Sequence, residues 1–239
     1  MVRTLEGGTT TADPAHMGYY VRPMRLEDIS QVSITEQECF PSGWGPTPFQ
    51  RELQNRSAAY LVACKAINPA RAREEARAVM SLATPIGHKP LLSRIVGGIK
   101  DALSPPTLPQ QDFSQHIGGY VGLWFVVDEA HITAIGTREA DRRQGIGELL
   151  ILASVELALR RGATMVTLET RVSNYPAQGL YIKYGFREVG VRKGYYTDNN
   201  EDALVMTTPN ITTPEYQDRF GRLLDDHARR WGSSIRVVE

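Results

Sequence analysis

Arg142-Arg143-Gln144-Gly145-Ile146-Gly147 is the stretch that decides how this 239-residue chain folds. An apolar run ends ahead of it near Ile135. After it, Glu148 to Arg161 carries Leu149, Leu150, Ile151, Ala153, Leu157 and Ala158 at helical spacing. The stretch is therefore a glycine-containing turn from a strand into a helix. The first N–H groups of a helix lack intrahelical partners and sit at the positive end of its dipole, and glycine lets backbone approach a ligand closely. Such a turn suits a phosphate or pyrophosphate. Two glycines ahead of a helix also serve as plain packing or turn residues, so the stretch alone leaves both readings open.

Composition narrows the classes. Hydrophobic residues make up 41% and charged residues 23%, as in a globular protein, and 27 basic residues balance 27 acidic ones, so no global charge points to nucleic acid or an acidic membrane. Cys39 and Cys64 have neither disulfide-framework nor metal-ligand spacing, and no His, Cys and carboxylate set has metal-site spacing; His131 reads as a strand histidine. The first residues lack the apolar run of a signal peptide, and Val121 to Val127 is too short to span a bilayer. A reducing, cytoplasmic setting is the expectation.

In chain order, residues 1–17 read as a flexible leader, Tyr19 to Arg22 as a strand ended near Pro23, and Leu26 to Cys39 as a helix. Thr47 as N-cap, Pro48 in the first helical position and Gln50 three residues after the cap predict a brief second helix ending near Asn55. Ala59 to Cys64 reads as a strand. Residues 65–116, rich in proline, read as an insertion with helix-compatible pieces over Pro69 to Leu82 and Leu91 to Leu103. The second piece either docks on the main domain, meets a partner or membrane surface, or stays disordered. Tyr120 to Val127 and His131 to Thr137 form a hairpin, and Met165 to Glu169 follows the helix in βαβ fashion, parallel to the second hairpin strand. Asn174 caps a short helix stopped by Gly185. Strands over Phe186 to Arg192 and Ala203 to Thr208 are joined by a polar loop, Lys193 to Asp202, and residues 210–239 form a helical extension. No internal repeat is present. The fold class is α/β, more closely an α+β mixed sheet: one domain over 18–209 with an insertion between its second and third strands.

With that order in place, Arg142-x-x-Gly145-x-Gly147 resembles the acetyl-coenzyme A pyrophosphate loop of the GCN5-related N-acetyltransferases. The second half is similar to their ribosomal-protein-alanine branch, the RimI branch, through Leu168-Glu169-Thr170-Arg171-Val172-Ser173-Asn174, Leu180-Tyr181, Tyr184-Gly185-Phe186, Tyr195-Tyr196 and Glu201-Asp202-Ala203. The resemblance runs over Tyr19 to Cys64 and Tyr120 to Pro209. Glu139 stands where the family usually has proline, and Thr137 replaces an aliphatic residue.

The resemblance implies acetyl-coenzyme A as donor, no metal, and a protein or peptide N-terminus as acceptor, plausibly a ribosomal protein beginning with alanine. It implies Glu169 as general base and Tyr181 as general acid; each also has a plain structural reading, as an ion-paired strand carboxylate and a packed helix aromatic. Backbone of Ile135, Gly136 and Thr137 is expected along the pantetheine arm. The amides of Arg143, Gln144, Gly145, Ile146 and Gly147 are expected at the pyrophosphate, with the Arg142 side chain and Asn174 assisting. Tyr195, Tyr196, Glu201 and Asp202 are expected around the acceptor, the acids holding its cationic end, with plain loop polarity as the alternative. Phe40, Pro41 and Trp44 either line the opposite wall of the acceptor site or close the core beneath the early helices. Lysine or small-molecule amines are the alternative acceptors, and a non-catalytic coenzyme A-binding module the alternative class. A generic dinucleotide-binding domain fits poorly, because the turn follows a hairpin and antiparallel strands close the domain. Oligomeric state is left open.

Overall fold

The computed structural model of the protein describes residues 16–40, 45–68, 74 and 115–239. Seven strands, Tyr19–Pro23 (β1), Ala58–Lys65 (β2), Ile117–Val126 (β3), Glu129–Thr137 (β4), Met165–Arg171 (β5), Arg187–Tyr196 (β6) and Glu201–Thr207 (β7), make one sheet in the order β1-β2-β3-β4-β5-β7-β6. Every pairing is antiparallel except β4 with β5, the parallel contact expected on either side of a crossover helix. The helices are Ile29–Cys39 (α1), Phe49–Glu52 (α2), Ile146–Arg160 (α3), Tyr175–Lys183 (α4) and Pro214–Trp231 (α5).

Strand alternation divides the interior in two. On β2, Leu61 and Ala63 face a core built on α3, whereas Tyr60, Val62 and Cys64 face a second core with Val32 of α1 and Phe49 of α2. The α3 helix is apolar almost all round, with Leu149, Leu150, Ile151, Leu152, Val155 and Leu157 buried. Such a helix must be covered on both sides. The sheet covers one side; Tyr216, Phe220 and Leu223 of α5 belong to the same core and complete its cover. Met17, assigned to the leader on sequence, is also buried in this core.

A bulge in β4 shapes the site. Gly122 opposes Ala134 and Leu123 opposes Ile132, so Thr133 is the extra residue and the alternation reverses there. Ala130 and Ile132 face α3 before the bulge, and Ile135 packs on that core after it. Gly136 then turns to α1, where a Cβ would lie 2.8 Å from Cys39 Sγ. The β4–β5 ladder stops at Ile132–Leu168, so among the described residues β4 from Thr133 to Thr137 has no strand on its β5 side.

Two local expectations are corrected. Thr47 does not cap α2, whose N-cap is Pro48 with no side-chain hydrogen bond. Its hydroxyl instead donates to the buried Glu36, which also accepts the Thr47 N–H at 3.1 Å, because a buried carboxylate needs donors more than a four-residue helix needs a cap. The stretch Lys193 to Asp202 is mostly strand: β6 runs to Tyr196 and β7 starts at Glu201. Pro41, Trp44, the leader before His16 and, Glu74 apart, the two helix-compatible pieces of the insertion lie outside the described residues. No helix among the described residues is long and apolar enough to cross a membrane.

Candidate active site

The glycine turn is held from two directions. Asp141, buried at the end of a 3-10 turn over Glu139–Asp141, accepts from Tyr19 Oη at 2.7 Å and lies 2.7 Å from His116 Nε2, tying the turn to β1 and to the start of β3. From α1, Glu38 pairs with Arg138 and accepts the Glu139 N–H, both at 3.1 Å. A proline at position 139 would lack that N–H, so the departure from the resemblance adds a tether. Arg143 and Gly145 then adopt left-handed conformations, φ 63° and 81°. Gly145 is the N-cap of α3 and offers no side-chain acceptor to its first amides. Two causes require glycine there: the positive φ, and the Trp231 indole, 2.7 Å from where a Cβ would be.

A groove of about 660 Å³ runs past this turn, lined by Gly136 and Thr137 of β4, by Gly145 and Gly147, and by Gly179 and Leu180 of α4. Gln144 is exposed and does not line it. Arg142, Arg143 and Arg230 line the groove with no carboxylate partner among the described residues, whereas Lys183 is committed to Glu148 at 2.6 Å. Three guanidiniums outside any salt bridge among the described residues, a helix start whose first amides have no intrahelical partner and an open strand edge together suit a long ligand with an anionic end and an amide-bearing arm.

A second, smaller cavity of about 160 Å³ adjoins the groove, and Cys39, Phe40, Ile135, Asn174 and Tyr181 line both. Glu169 and Tyr195 lie on the small cavity only. Glu169 is on the face of β5 opposite the α3 core; its side chain is 5% exposed and its Oε2 lies 2.6 Å from His131 Nε2. Arg192 of β6 lies 3.1 Å from the other oxygen as an ion pair. Burial pushes the Glu169 carboxyl up, but the His131 hydrogen bond and the His131 and Arg192 charges outweigh it, and the net direction is down. Tyr181 is buried with its ring on Phe186, 5.8 Å between centroids. Burial raises its hydroxyl, helped by Tyr196, so the phenol stays protonated at neutral pH. Asn174 accepts the Ala177 N–H at 3.3 Å and so caps α4 as expected, while also facing both cavities.

Tyr195 and Tyr196 line the small cavity from the end of β6, packed edge to face at 5.2 Å, with the Arg171 guanidinium 4.0 Å from the Tyr196 ring centre. Glu201 and Asp202 do not reach the cavity. Glu201 accepts from the Ser173 N–H at 2.9 Å and pairs with Arg171 at 3.0 Å; hydrogen bonds from Ser173 and Asn199 lead the causes that bring its carboxyl down to about 2. Asp202 holds Lys193 at 2.6 Å and the Gly194 N–H at 2.9 Å. Asp202 braces the β6–β7 hairpin, and Glu201 ties that hairpin to the end of β5.

Residues 108–186 match the family model described as the Acetyltransferase (GNAT) family. A Bacillus subtilis protein, provisionally named a ribosomal protein bS18-alanine N-acetyltransferase, is 37% identical over 187 residues, 78% of this chain and 92% of that protein. The chain belongs to the GNAT acetyltransferase family. Its fold is that of solved members: the ribosomal-protein-S18-alanine N-acetyltransferase from Escherichia coli superposes with a TM-score of 0.56 at 20% identity, covering 82% of this chain and 97% of that one. Arabidopsis thaliana NAA60 in complex with acetyl-CoA gives 0.55 at 17% identity, covering 79% and 98%.

Within this GNAT domain two contributions escaped sequence reasoning. His131 is a partner of Glu169 rather than an ordinary strand histidine; the signal was available, since parallel β4 and β5 put His131 opposite Thr167, two residues from Glu169 on the same face. Arg230 and Trp231 bring the C-terminal extension into the groove wall. Among the described residues no group of three His, Cys, Asp or Glu could hold a metal.

Proposed function

We propose that this chain is an N-terminal acetyltransferase, taking acetyl-CoA in the large groove and the free α-amine of a protein in the small cavity, with a ribosomal protein beginning with alanine as the preferred acceptor. The observation that carries the reading is that the two cavities meet at Ile135, Asn174 and Tyr181, with Glu169 on the acceptor side alone. Acetyl-CoA supplies the activated acetyl group as a thioester. The free amides of the Gly145 turn and the Arg143 guanidinium fit its pyrophosphate, and the open edge of β4 fits its amide-bearing arm.

In this reading Glu169 accepts the proton of the acceptor ammonium through water, and His131 and Arg192 keep it ionised and oriented. Tyr181, protonated and at the junction of the cavities, donates a proton to the departing thiolate. A carboxylate held low is a weak base. It suits an α-amine, with a reference value near 8, better than a lysine near 10.4, a difference on the order of 10²-fold in free amine at one pH. The small volume of the acceptor cavity and its Tyr195 and Tyr196 wall fit the end of a chain with a small first residue. The acceptor's similarity-based identity rests on the Bacillus relative's name.

The test is acetyl transfer to peptides read by mass spectrometry. Peptides with free Ala-, Ser-, Gly- and Met-termini are compared with N-blocked peptides carrying one lysine. Turnover led by the alanine terminus is expected. Preferential modification of the blocked lysine peptides would replace this reading with a side-chain acetyltransferase; cofactor binding without turnover on any peptide or on intact ribosomal proteins would leave a binding module.

A further inference from the structure

The C-terminal extension lies outside the stretch covered by the family resemblance, yet it is built into the donor groove. The apolar row of α5, Tyr216, Phe220, Leu223 and His227, recurs at spacings that put it on one face, and all four are buried. Beyond α5 the chain runs beside β1: Met17 N–H donates to Ser233 O at 3.0 Å, Val21 N–H to Ile235 O at 2.9 Å and Val237 N–H to Val21 O at 2.9 Å. Arg236 grips Glu156 of α3 through two contacts of 2.8 Å. The junction between helix and strap is thus fixed from both sides, and that junction is Arg230-Trp231-Gly232. Trp231 lies against Gly145, and the Arg230 guanidinium lies 4.8 Å from its ring centre, facing the groove.

We propose that Arg230, stacked on Trp231, binds the 3′-phosphate of coenzyme A, which makes the extension part of donor recognition. The inference rests on the reading that the groove holds coenzyme A. Arg230 and Trp231 line the groove but not the acceptor cavity, and Trp231 lies against the Gly145 turn, apart from the junction where the two cavities meet. In coenzyme A the 3′-phosphate lies on the adenosine side of the pyrophosphate, away from the thiol. A phosphate monoester presents several oxygens at once, and the planar N–H fork of a guanidinium stacked on an aromatic ring is already oriented to meet them. The other cations are less suited: Lys183 is held by Glu148, and Arg142 is turned toward Glu38 and Cys39 on α1. Arg143 sits in the turn itself, at the pyrophosphate.

The experiment is calorimetric titration of the full chain with coenzyme A and with 3′-dephospho-coenzyme A, for the wild type and for Arg230→Gln, Arg143→Gln and Arg229→Gln. Arg229 is the internal control, a neighbour that pairs with Asp226 and does not line the groove. Wild type should bind coenzyme A about tenfold tighter than the dephospho form, the scale of one partly exposed charge-assisted contact. Arg230→Gln should abolish that preference and leave dephospho-coenzyme A binding unchanged, whereas Arg229→Gln should keep it. Retention of the preference in Arg230→Gln, or its loss in Arg143→Gln with weakening confined to the 3′-phosphate form, would overturn the assignment. Failure of the wild type to bind either nucleotide would overturn the donor-groove reading as well, so the two failures are told apart.

Discussion

Replacing Glu169 by glutamine tests the proton route most directly. The side chain is 5% exposed and held by His131 at 2.6 Å, so the amide fills the same space and keeps a neutral hydrogen bond to the imidazole in one orientation. Arg192 loses its charge partner but is 53% exposed, and the stability loss stays within about 1 kcal/mol. The kinetic loss is larger. The Glu169 carboxyl is held below its ordinary value by His131 and Arg192, far below an α-ammonium near 8, so direct proton capture would be strongly uphill. General-base assistance spans about 10² to 10⁴, and a base this weak, acting through water, belongs at the lower end. The expected outcome is a kcat about 10²-fold lower with an alanine-terminal peptide, read by thiol release, and an acetyl-CoA KM within about twofold, since Glu169 lies off the donor groove. A kcat within about threefold of wild type, with folding intact, refutes Glu169 as proton acceptor. A higher peptide KM with unchanged kcat would recast it as an ammonium anchor. The companion variant His131→Ala removes the leading downward influence on Glu169, so its carboxyl rises. A depressed carboxyl contributes stability above its unfolded value, about 4.3, and loses it as pH falls through the folded value. The stability gap between wild type and His131→Ala in urea titrations should therefore be full at pH 7 and narrow below about pH 4.

Tyr181→Phe should lower kcat by about 10- to 10²-fold and leave the melting temperature within a few degrees, because no protein hydrogen bond to its hydroxyl is present among the described residues; an unchanged kcat would reduce Tyr181 to a packing role. Gly145→Ala pays for a left-handed alanine, about 1–2 kcal/mol, and must also displace the Trp231 indole, so thermal unfolding should shift down by several degrees and coenzyme A binding should weaken; an unaltered melting curve would contradict the close approach. Gly179→Ala sits in α4 where a Cβ meets nothing within 4 Å, and should stabilise the chain by up to about 1 kcal/mol, because glycine is a poor helix former; a fall in melting temperature would show that Gly179 carries no propensity cost in this helix.

Much of this arrangement was legible because it depends on local chemistry. Asn174 ahead of Tyr175-Pro176 reads as a cap and is one, and the glycine turn before α3 reads as a helix start and is one. What escaped depends on pairing between distant segments. The bulge at Thr133 leaves no mark in composition, yet it reverses which residues of β4 face α3 and ends the β4–β5 ladder where the two cavities meet. Glu201 and Asp202 look like free acids in a polar loop until β7 pairs with β5, which brings Arg171 and Ser173 to Glu201, and with β6, which brings Lys193 to Asp202.

The C-terminal extension lay between these cases. A helix as uniformly apolar as α3 needs a second cover besides the sheet, and the chain holds an amphipathic segment with Tyr216, Phe220, Leu223 and His227 on one face. Each pattern was visible alone; their conjunction required α5 to lie on the far side of α3. A helix packed along α3 and ending beside its N-terminus must deliver its last side chains to the glycine turn. That is where Trp231 meets Gly145 and where His227 Nε2 comes within 3.4 Å of the Gly145 carbonyl oxygen. The need to keep α3 dry thus also sets the outer wall of the donor groove, and a change to the α5 face should be felt in coenzyme A affinity as well as in stability.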